Sequence, residues 1–433
     1  MHELTHNLSR PRPGEEEARL KEAQPIDFYR SSKTEDGKAF TDLIEEMLLT
    51  RWRKSKLHSL AGTAKTEIKR RLAIVSLTTN LAVQSLSDQR QYLYVPLNPA
   101  AYSPGNIDRP EVRYKLVKGA FDMLASPEEP LIEVVPGYHD PERRKGACTR
   151  IKASEYLNDL IDDLGVTLAD FGISEDKPVL QCRSEKETSA SGKGKVRGKL
   201  LPILKTKDNL RREAEMKEIN AFLRNLQITC SYPFDPTQCH LVRIFNNGGF
   251  EEGGRLYMGW WQSIPSRARK SIRIDGEPVV ELDFAQLHPT MLYGEYASGV
   301  PLKGDPYQVP GLPRKVAKKL FNAMINARMK LKQWPEGVDG TSLEMKVSEA
   351  QRLVLERHHS IEAAFFTGAG LRLQRQDSDM MVAILLELVG QDIPALPVHD
   401  SVIVPERHKE TVVEVMRRQF KDRTGLEIEV RES

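Results

Sequence analysis

Apolar residues recur along this chain in rhythms that change from segment to segment. Phe40, Leu43, Ile44, Met47 and Leu48 repeat at helical spacing, and Leu72, Ile74, Leu77 and Leu81 do so more loosely. Residues 15 to about 90 therefore read as helices separated by polar turns. From about 91 to 165 the rhythm shortens. Tyr92–Val95 predicts a strand, Val112–Leu124 an amphipathic helix, Leu131–Val135 a strand, Thr149–Ile151 a return strand and Ala153–Leu164 a last helix. Arg183–Lys199 is rich in Ser, Gly, Lys and Glu and poor in apolar residues, so 183–206 is expected to be a flexible linker. Lys207–Ile228 reads as a charged helix with Ile219, Phe222, Leu223 and Leu226 on one face; a thumb over duplex and a plain packing helix suit it equally. Residues 351–390 read as helical.

Two stretches are different in kind. Val279-Val280-Glu281-Leu282-Asp283-Phe284 is an apolar run leading into one aspartate, followed by helix-like spacing. It predicts a buried strand that presents Asp283 at a strand-to-helix junction. Leu396–Val404 predicts two short apolar strands whose tight turn carries His399 and Asp400. Two aspartates, each on the lip of a buried sheet, suit a pair of hard cations that clamp the attacking and leaving oxygens of phosphoryl transfer. Two Mg²⁺ ions are expected there, with Mn²⁺ as a substitute.

Composition adds bounds. The 433 residues suffice for two or three domains. The net charge of +3 does not announce nucleic acid, yet the basic residues are knotted: Arg51, Arg53, Lys54 and Lys56; Lys69, Arg70 and Arg71; Arg143, Arg144 and Lys145; Arg211 and Arg212. The third knot sits in the loop Tyr138–Cys148, between two predicted strands that follow a helix. That order resembles a winged helix with Arg143, Arg144 and Lys145 on the wing, a loop that contacts duplex backbone. A hairpin with a solvated tip fits equally. Cys148, Cys182, Cys230 and Cys239 are too dispersed for a metal knuckle or a disulfide framework. With no apolar span and no signal core, a cytoplasmic protein without membrane contact is expected. His2-Glu3-Leu4-Thr5-His6 matches the zincin pattern. It runs into Arg10-Pro11-Arg12-Pro13 with no third ligand, and reads as coincidence.

The segment from Gly253 onward resembles family A DNA polymerases. Gly254-Arg255-Leu256, then Gln262-Ser263-Ile264-Pro265, Arg269 and Arg273 follow the run that precedes that family's first catalytic aspartate, with Ser263 where Asn is usual. The resemblance implies that Arg255 touches the primer-end minor groove and that Gln262, in the matching turn, also binds nucleic acid. It implies that Asp283 binds both metals, with the Phe284 carbonyl beside an ion. It places His288, where glutamate is usual, against the sugar of the nucleotide; an imidazole can pack there or hydrogen-bond a 2′-hydroxyl. Arg314 and Lys318, four apart on a predicted helix, match the family's triphosphate-binding pair. The same likeness gives Lys318 the proton for the leaving pyrophosphate. Asn322 and Asn326 stand where an aromatic and a tyrosine are usual. Gln374, with Asp379 beyond it, matches a glutamine that reaches the template–primer minor groove. Val398-His399-Asp400-Ser401 supplies the second metal carboxylate, Asp400, with His399 bracing the turn near the primer end. Ser401 is the residue found in the single-subunit RNA polymerases of phage and mitochondria. The resemblance covers about 245–433.

The expected fold is α+β: a right-hand polymerase palm of antiparallel sheet with helices, plus helical fingers and thumb, behind an N-terminal helical and winged-helix-like region. The expected segments are 1–90, 91–182 (winged-helix-like), 183–206 (linker), 207–250 (thumb-like) and 251–433 (palm and fingers). The expected function is a compact DNA-dependent DNA polymerase acting on nucleoside triphosphates and a template–primer. No ordered carboxylate set for a proofreading exonuclease is evident, and replication of a phage, plasmid or mobile element is the expected setting. The alternatives are a primase or RNA polymerase using ribonucleotides, and a nucleic-acid-binding module with a dead palm. Oligomeric state is not legible in these patterns.

Overall fold

The computed structural model describes residues 20, 22–54, 64–88, 91–140, 145–188, 195–232, 234–297 and 300–433. The zincin-like stretch 2–6 and the wing residues Arg143 and Arg144 lie outside them; Lys145 lies inside by its backbone alone. The chain divides into two compact units, Met1–Lys177 with Pro233–Gln238, and Pro178–Tyr232 with Cys239–Ser433.

The first unit begins with β1 (Gln24–Pro25) and β2 (Arg30–Ser32), then α1 (Glu35–Lys54) and α2 (Ala64–Asp88). Phe40, Ile44 and Leu48 of α1 are fully buried, one helical stripe. Leu43, expected on the same stripe, points outward. Next come β3 (Leu93–Val95), α3 (Tyr114–Leu124), β4 (Ile132–Val135), β5 (Tyr138–Asp140), β6 (Lys145–Ala147), β7 (Thr149–Ala153), α4 (Glu155–Asp163) and β8 (Phe171–Ile173). The sheet order is β1-β3-β7-β4, and β5 pairs with β6 as a hairpin between β4 and β7. The helices cover this sheet through one apolar core that includes Ile74, Leu77, Leu81, Val117, Phe121 and Ile151.

The second unit opens with β9 (Leu180–Arg183), β10 (Glu187–Thr188), β11 (Lys195–Val196) and β12 (Leu200–Leu201). The expected linker is thus corrected. β10 and β11 form a hairpin, and β9 is fully buried beside β14. The two-residue β12 in the same stretch pairs back onto β9. Then come α5 (Lys207–Leu223), β13 (Ile228–Thr229), β14 (Val242–Phe245), β15 (Gly253–Tyr257), the short α6 (Ser266–Arg269), β16 (Arg273–Ile274) and β17 (Glu277–Phe284). They are followed by α7 (Leu287–Tyr296), α8 (Arg314–Asn326), α9 (Val347–Arg357), α10 (Ala369–Gly390), β18 (Leu396–Val398), β19 (Ser401–Pro405), α11 (Lys409–Thr424) and β20 (Val430–Glu432). The stretch 351–390, expected to be helical, is divided between α9 and α10, and Gly368 just before α10 is in the left-handed region at φ 76°.

Two sheets organise this unit. One runs β12-β9-β14-β15, and α10 packs on β15. The other runs β13-β16-β17-β19-β18, with β20 also paired to β17. The central strand β17 alternates: Val280, Leu282 and Phe284 point into the core, and Glu281 and Asp283 do not. Phe420 of α11 is fully buried against Phe284, with ring centroids 6.0 Å apart, so α11 closes the apolar face. Glu281 and Asp283 lie on the other face. Among the described residues no helix is long and apolar enough to cross a membrane.

Candidate active site

β17 and β19 run antiparallel with Asp283 opposite Ser401. Asp400 precedes Ser401 in the two-residue turn that joins β18 to β19. Val398 and Ser401 close that turn, and His399 enters it at φ 60°, a conformation that costs a non-glycine residue about 1 kcal/mol. The sheet register therefore brings together two acids 117 positions apart in sequence. Their charges couple. Burial first, then Asp400, then Glu281 push the Asp283 carboxyl from its ordinary 3.8 up to about 7. Lys318 and the Phe284 amide pull it partly back.

Glu281, two residues earlier on the same face, is held on both sides. Arg269 grips it with Nε at 2.8 Å and Nη2 at 3.0 Å, and the Ser401 hydroxyl donates to it at 2.8 Å. Its period-two relation to Asp283 is visible in sequence, but nothing local distinguishes it from an ordinary strand polar position.

α8 brings the cations. Arg314 and Lys318 lie one turn apart and flank the Tyr307 ring at 5.5 and 5.6 Å from its centroid. Arg314 also pairs with Asp305. Burial, then Asp305, and more weakly Asp400 and Asp283 raise the Tyr307 phenol to about 12, against a lowering by Arg314, so this ring feels both site acids. Asn322 lies one turn further along α8, half-buried, its carbonyl accepting from Asn326 at 2.7 Å.

On the other flank Arg255 of β15 donates to Asp377 of α10 through Nη2 at 2.6 Å, and the same Nη2 lies 3.9 Å from Asp400. His288 of α7 reaches Asp377 from a second direction, Nε2 to Oδ2 at 2.7 Å. A carboxylate only accepts, so that nitrogen carries the proton. Asp377 is almost completely buried, its side chain 1% exposed, and sequence reasoning missed it. Gln374 lies one turn before it on α10, half-buried. Asp379 pairs with the buried Arg243 at 2.5 Å and so anchors α10 to β14.

His399 packs edge-on to Tyr257, centroids 5.6 Å apart. Burial first, and then Arg255, hold its imidazole below the ordinary histidine range, so it is neutral at pH 7. The Gln262 amide nitrogen donates to the carbonyls of Leu256 (3.1 Å) and Pro397 (2.9 Å). The indole of the fully buried Trp261 donates to the same Pro397 carbonyl at 2.9 Å. Together they tie the end of β15 to the Asp400 hairpin.

The structure thus gathers Asp283, Asp400, Arg255, His288, His399, Arg314 and Lys318 on one face of one unit. Among the described residues no group of three or more His, Cys, Asp or Glu side chains forms a metal cage. No protein-family model matches this chain, and no curated protein does. Among solved structures, the POL domain of Pol1 from M. smegmatis, in complex with DNA primer-template and dNTP, is similar at a TM-score of 0.29 and 14% identity. The alignment takes in 45% of this chain and 47% of that one, so this chain spans less than half of that domain.

Proposed function

We propose that this chain is a template-directed nucleotidyltransferase, a compact DNA polymerase of family A type that extends a primer on a DNA template. The observation that carries the reading is the register of β17 and β19, which sets Asp283 beside the Asp400 turn, with Lys318 within electrostatic reach. In this reading the 3′-hydroxyl of the primer attacks the α-phosphate of a nucleoside triphosphate, and pyrophosphate leaves.

The acid pair fits divalent cations. A carboxyl pushed to about 7 by burial and a neighbouring acid is short of positive charge. Mg²⁺ is typically held by one or two carboxylates, with waters and substrate phosphates completing its shell. Asp283 and Asp400, with the Phe284 carbonyl, are the residues that would hold it. When bound, such ions polarise the phosphoryl oxygens and neutralise the charge that develops on them. The chain's own groups do the rest. Arg314 and Lys318 hold the polyphosphate, and the Lys318 ammonium donates a proton to the departing pyrophosphate oxygen. Arg255 and Gln374 face the terminal base pair, whose minor-groove acceptors are common to all pairs, so contact there tests pair geometry without reading sequence. Arg143, Arg144 and Lys145 are assigned to duplex backbone by their charge alone. Replication of a phage, plasmid or mobile element, without proofreading, is the setting that suits this set.

A second reading, synthesis from ribonucleotides, is favoured by His288. With Nε2 committed to Asp377, its Nδ1 is left as an acceptor for a sugar hydroxyl. Extension of a primed DNA template with deoxy- or ribonucleotides decides between them. Faster incorporation of deoxynucleotides is expected, and synthesis without a primer establishes the primase. If neither sugar is incorporated with Mg²⁺ or Mn²⁺, the polymerase reading falls and a binding module with a dead palm replaces it.

A further inference from the structure

Arg255 lies between two acids. Its Nε is 3.2 and 3.3 Å from the two oxygens of Asp377 and its Nη2 is 2.6 Å from one of them, so the pair is clamped side-on. The same Nη2 stops 3.9 Å short of Asp400. Asp377 is 1% exposed and Asp400 39% exposed. The residues after Asp377 are themselves immobilised: Ser378 and Asp379 accept from the Arg243 guanidinium at 2.8 and 2.5 Å. His288 holds Asp377 from its remaining side. The buried acid is held by Arg255 and His288, and the same Arg255 guanidinium lies 3.9 Å from Asp400.

We infer that Asp377 is a positioning residue whose work is to hold the Arg255 guanidinium off Asp400, keeping the Asp400 carboxylate open to a divalent cation. An arginine has five fixed donors and keeps its charge at any working pH. Without the buried anion, its nearest acceptor is Asp400, about 1 Å beyond its present reach by ordinary ion-pair distances. Closing that gap places a permanent cation on the oxygens that a metal needs. Arg255 is thus both a neighbour of the site and its potential blocker, and Asp377 sets which of the two it is.

This inference rests on Asp283 and Asp400 binding a cation, and the test separates the two. Mn²⁺ binding to the full chain, without nucleotide or DNA, is measured by electron paramagnetic resonance of the free ion. If the wild type binds no Mn²⁺, or if Asp283→Ala binds it as well as the wild type, the parent reading fails. With that reading in place, Asp377→Asn is expected to bind Mn²⁺ about tenfold more weakly, the size of one charge-assisted hydrogen bond from Arg255 to Asp400 that the metal must displace. Asp377→Glu, which keeps the charge, is expected to bind within about threefold of wild type. The double variant Asp377→Asn/Arg255→Gln is expected to recover the lost affinity. Unchanged affinity in Asp377→Asn, or a double variant as weak as the single, overturns the inference; a merely structural role gives the second result. Should Asp377→Asn fail to fold, Arg255→Gln decides alone. Mn²⁺ binding as tight as wild type or tighter supports the inference, and weaker binding overturns it.

Discussion

Asp283 is more useful to this protein than it is comfortable in it. Burial and the neighbouring acids move its carboxyl from 3.8 to about 7, so the folded chain keeps a proton that the unfolded chain gives up near pH 4. Between those values the native state binds more protons than the unfolded one, and stability therefore falls as pH rises through this window. Below about pH 4 both states are protonated and no penalty exists; above pH 7 it is complete. Each tenfold in proton affinity is about 1.4 kcal/mol, so the ceiling is ~4 kcal/mol. The side chain keeps partial contact with solvent, and halving for screening leaves about 2 kcal/mol. Asp283→Asn removes the titrating group at nearly constant volume. In EDTA at pH 8 the variant is expected to be the more stable protein by about 2 kcal/mol, or about 4–8 °C in the melting of a unit of this size.

The pH profile carries the argument. At pH 5 less than half of the advantage remains, because the unfolded chain has ionised and the folded one has not. Adding Mg²⁺ stabilises the wild type by mass action and leaves the variant nearly unmoved, which narrows or reverses the gap. Scanning calorimetry at pH 5 and pH 8, with EDTA and with Mg²⁺, gives all four values. An Asn variant less stable than wild type at pH 8 in EDTA, or an advantage no larger at pH 8 than at pH 5, refutes the electrostatic account.

Other consequences are more local. Asp400→Ala is expected to abolish synthesis while a fluorescently labelled template–primer still binds within about threefold of wild type; lost duplex binding gives Asp400 a different role. Lys318→Ala is expected to lower kcat by about 100-fold, as for loss of a general acid, and to change template affinity far less; a change confined to template affinity refutes its assignment to the nucleotide. Gln262→Ala loses two backbone hydrogen bonds and is expected to cost about 1–2 kcal/mol in stability, leaving duplex affinity unchanged; a selective loss of duplex affinity makes Gln262 a nucleic-acid contact instead. His399→Asn replaces a left-handed histidine with a residue that tolerates that conformation, and is expected to raise stability by up to about 1 kcal/mol in thermal melts. A loss of similar size makes the Tyr257 packing the larger effect.

What could be read from the chain, and what could not, follows from the range of the forces involved. β17 and the β18–β19 hairpin were legible because period-two burial and a tight turn are written in consecutive residues, and the acids sit where those patterns stop. The Arg314/Lys318 pair was legible for the same reason, one helical turn being four residues. The strands within 183–206 were not legible because β10, β11 and β12 are two residues each and carry too little pattern to stand out from a polar stretch. The break between α9 and α10 is hidden because apolar residues continue through it, while the backbone leaves the helix at several points, with Phe365 extended and Phe366 and Gly368 in the left-handed region.

Asp377 shows the limit most plainly. An acid among apolar helix residues reads as one polar position on an amphipathic face, and such faces are ordinarily wet. Here that face is inside the protein, because α10 packs on β15 and the acid meets Arg255 from one side and His288 from the other. Each partner comes from a different element, and neither is closer than about 90 residues in sequence. A buried carboxylate is tolerated only where donors satisfy it, so its burial implies those partners, but only once burial is known. The general consequence concerns charge more than fold. Local patterns reveal the acids and bases that a site exposes to its substrate. The buried charges that decide how those groups are held become visible only when the chain is closed on itself.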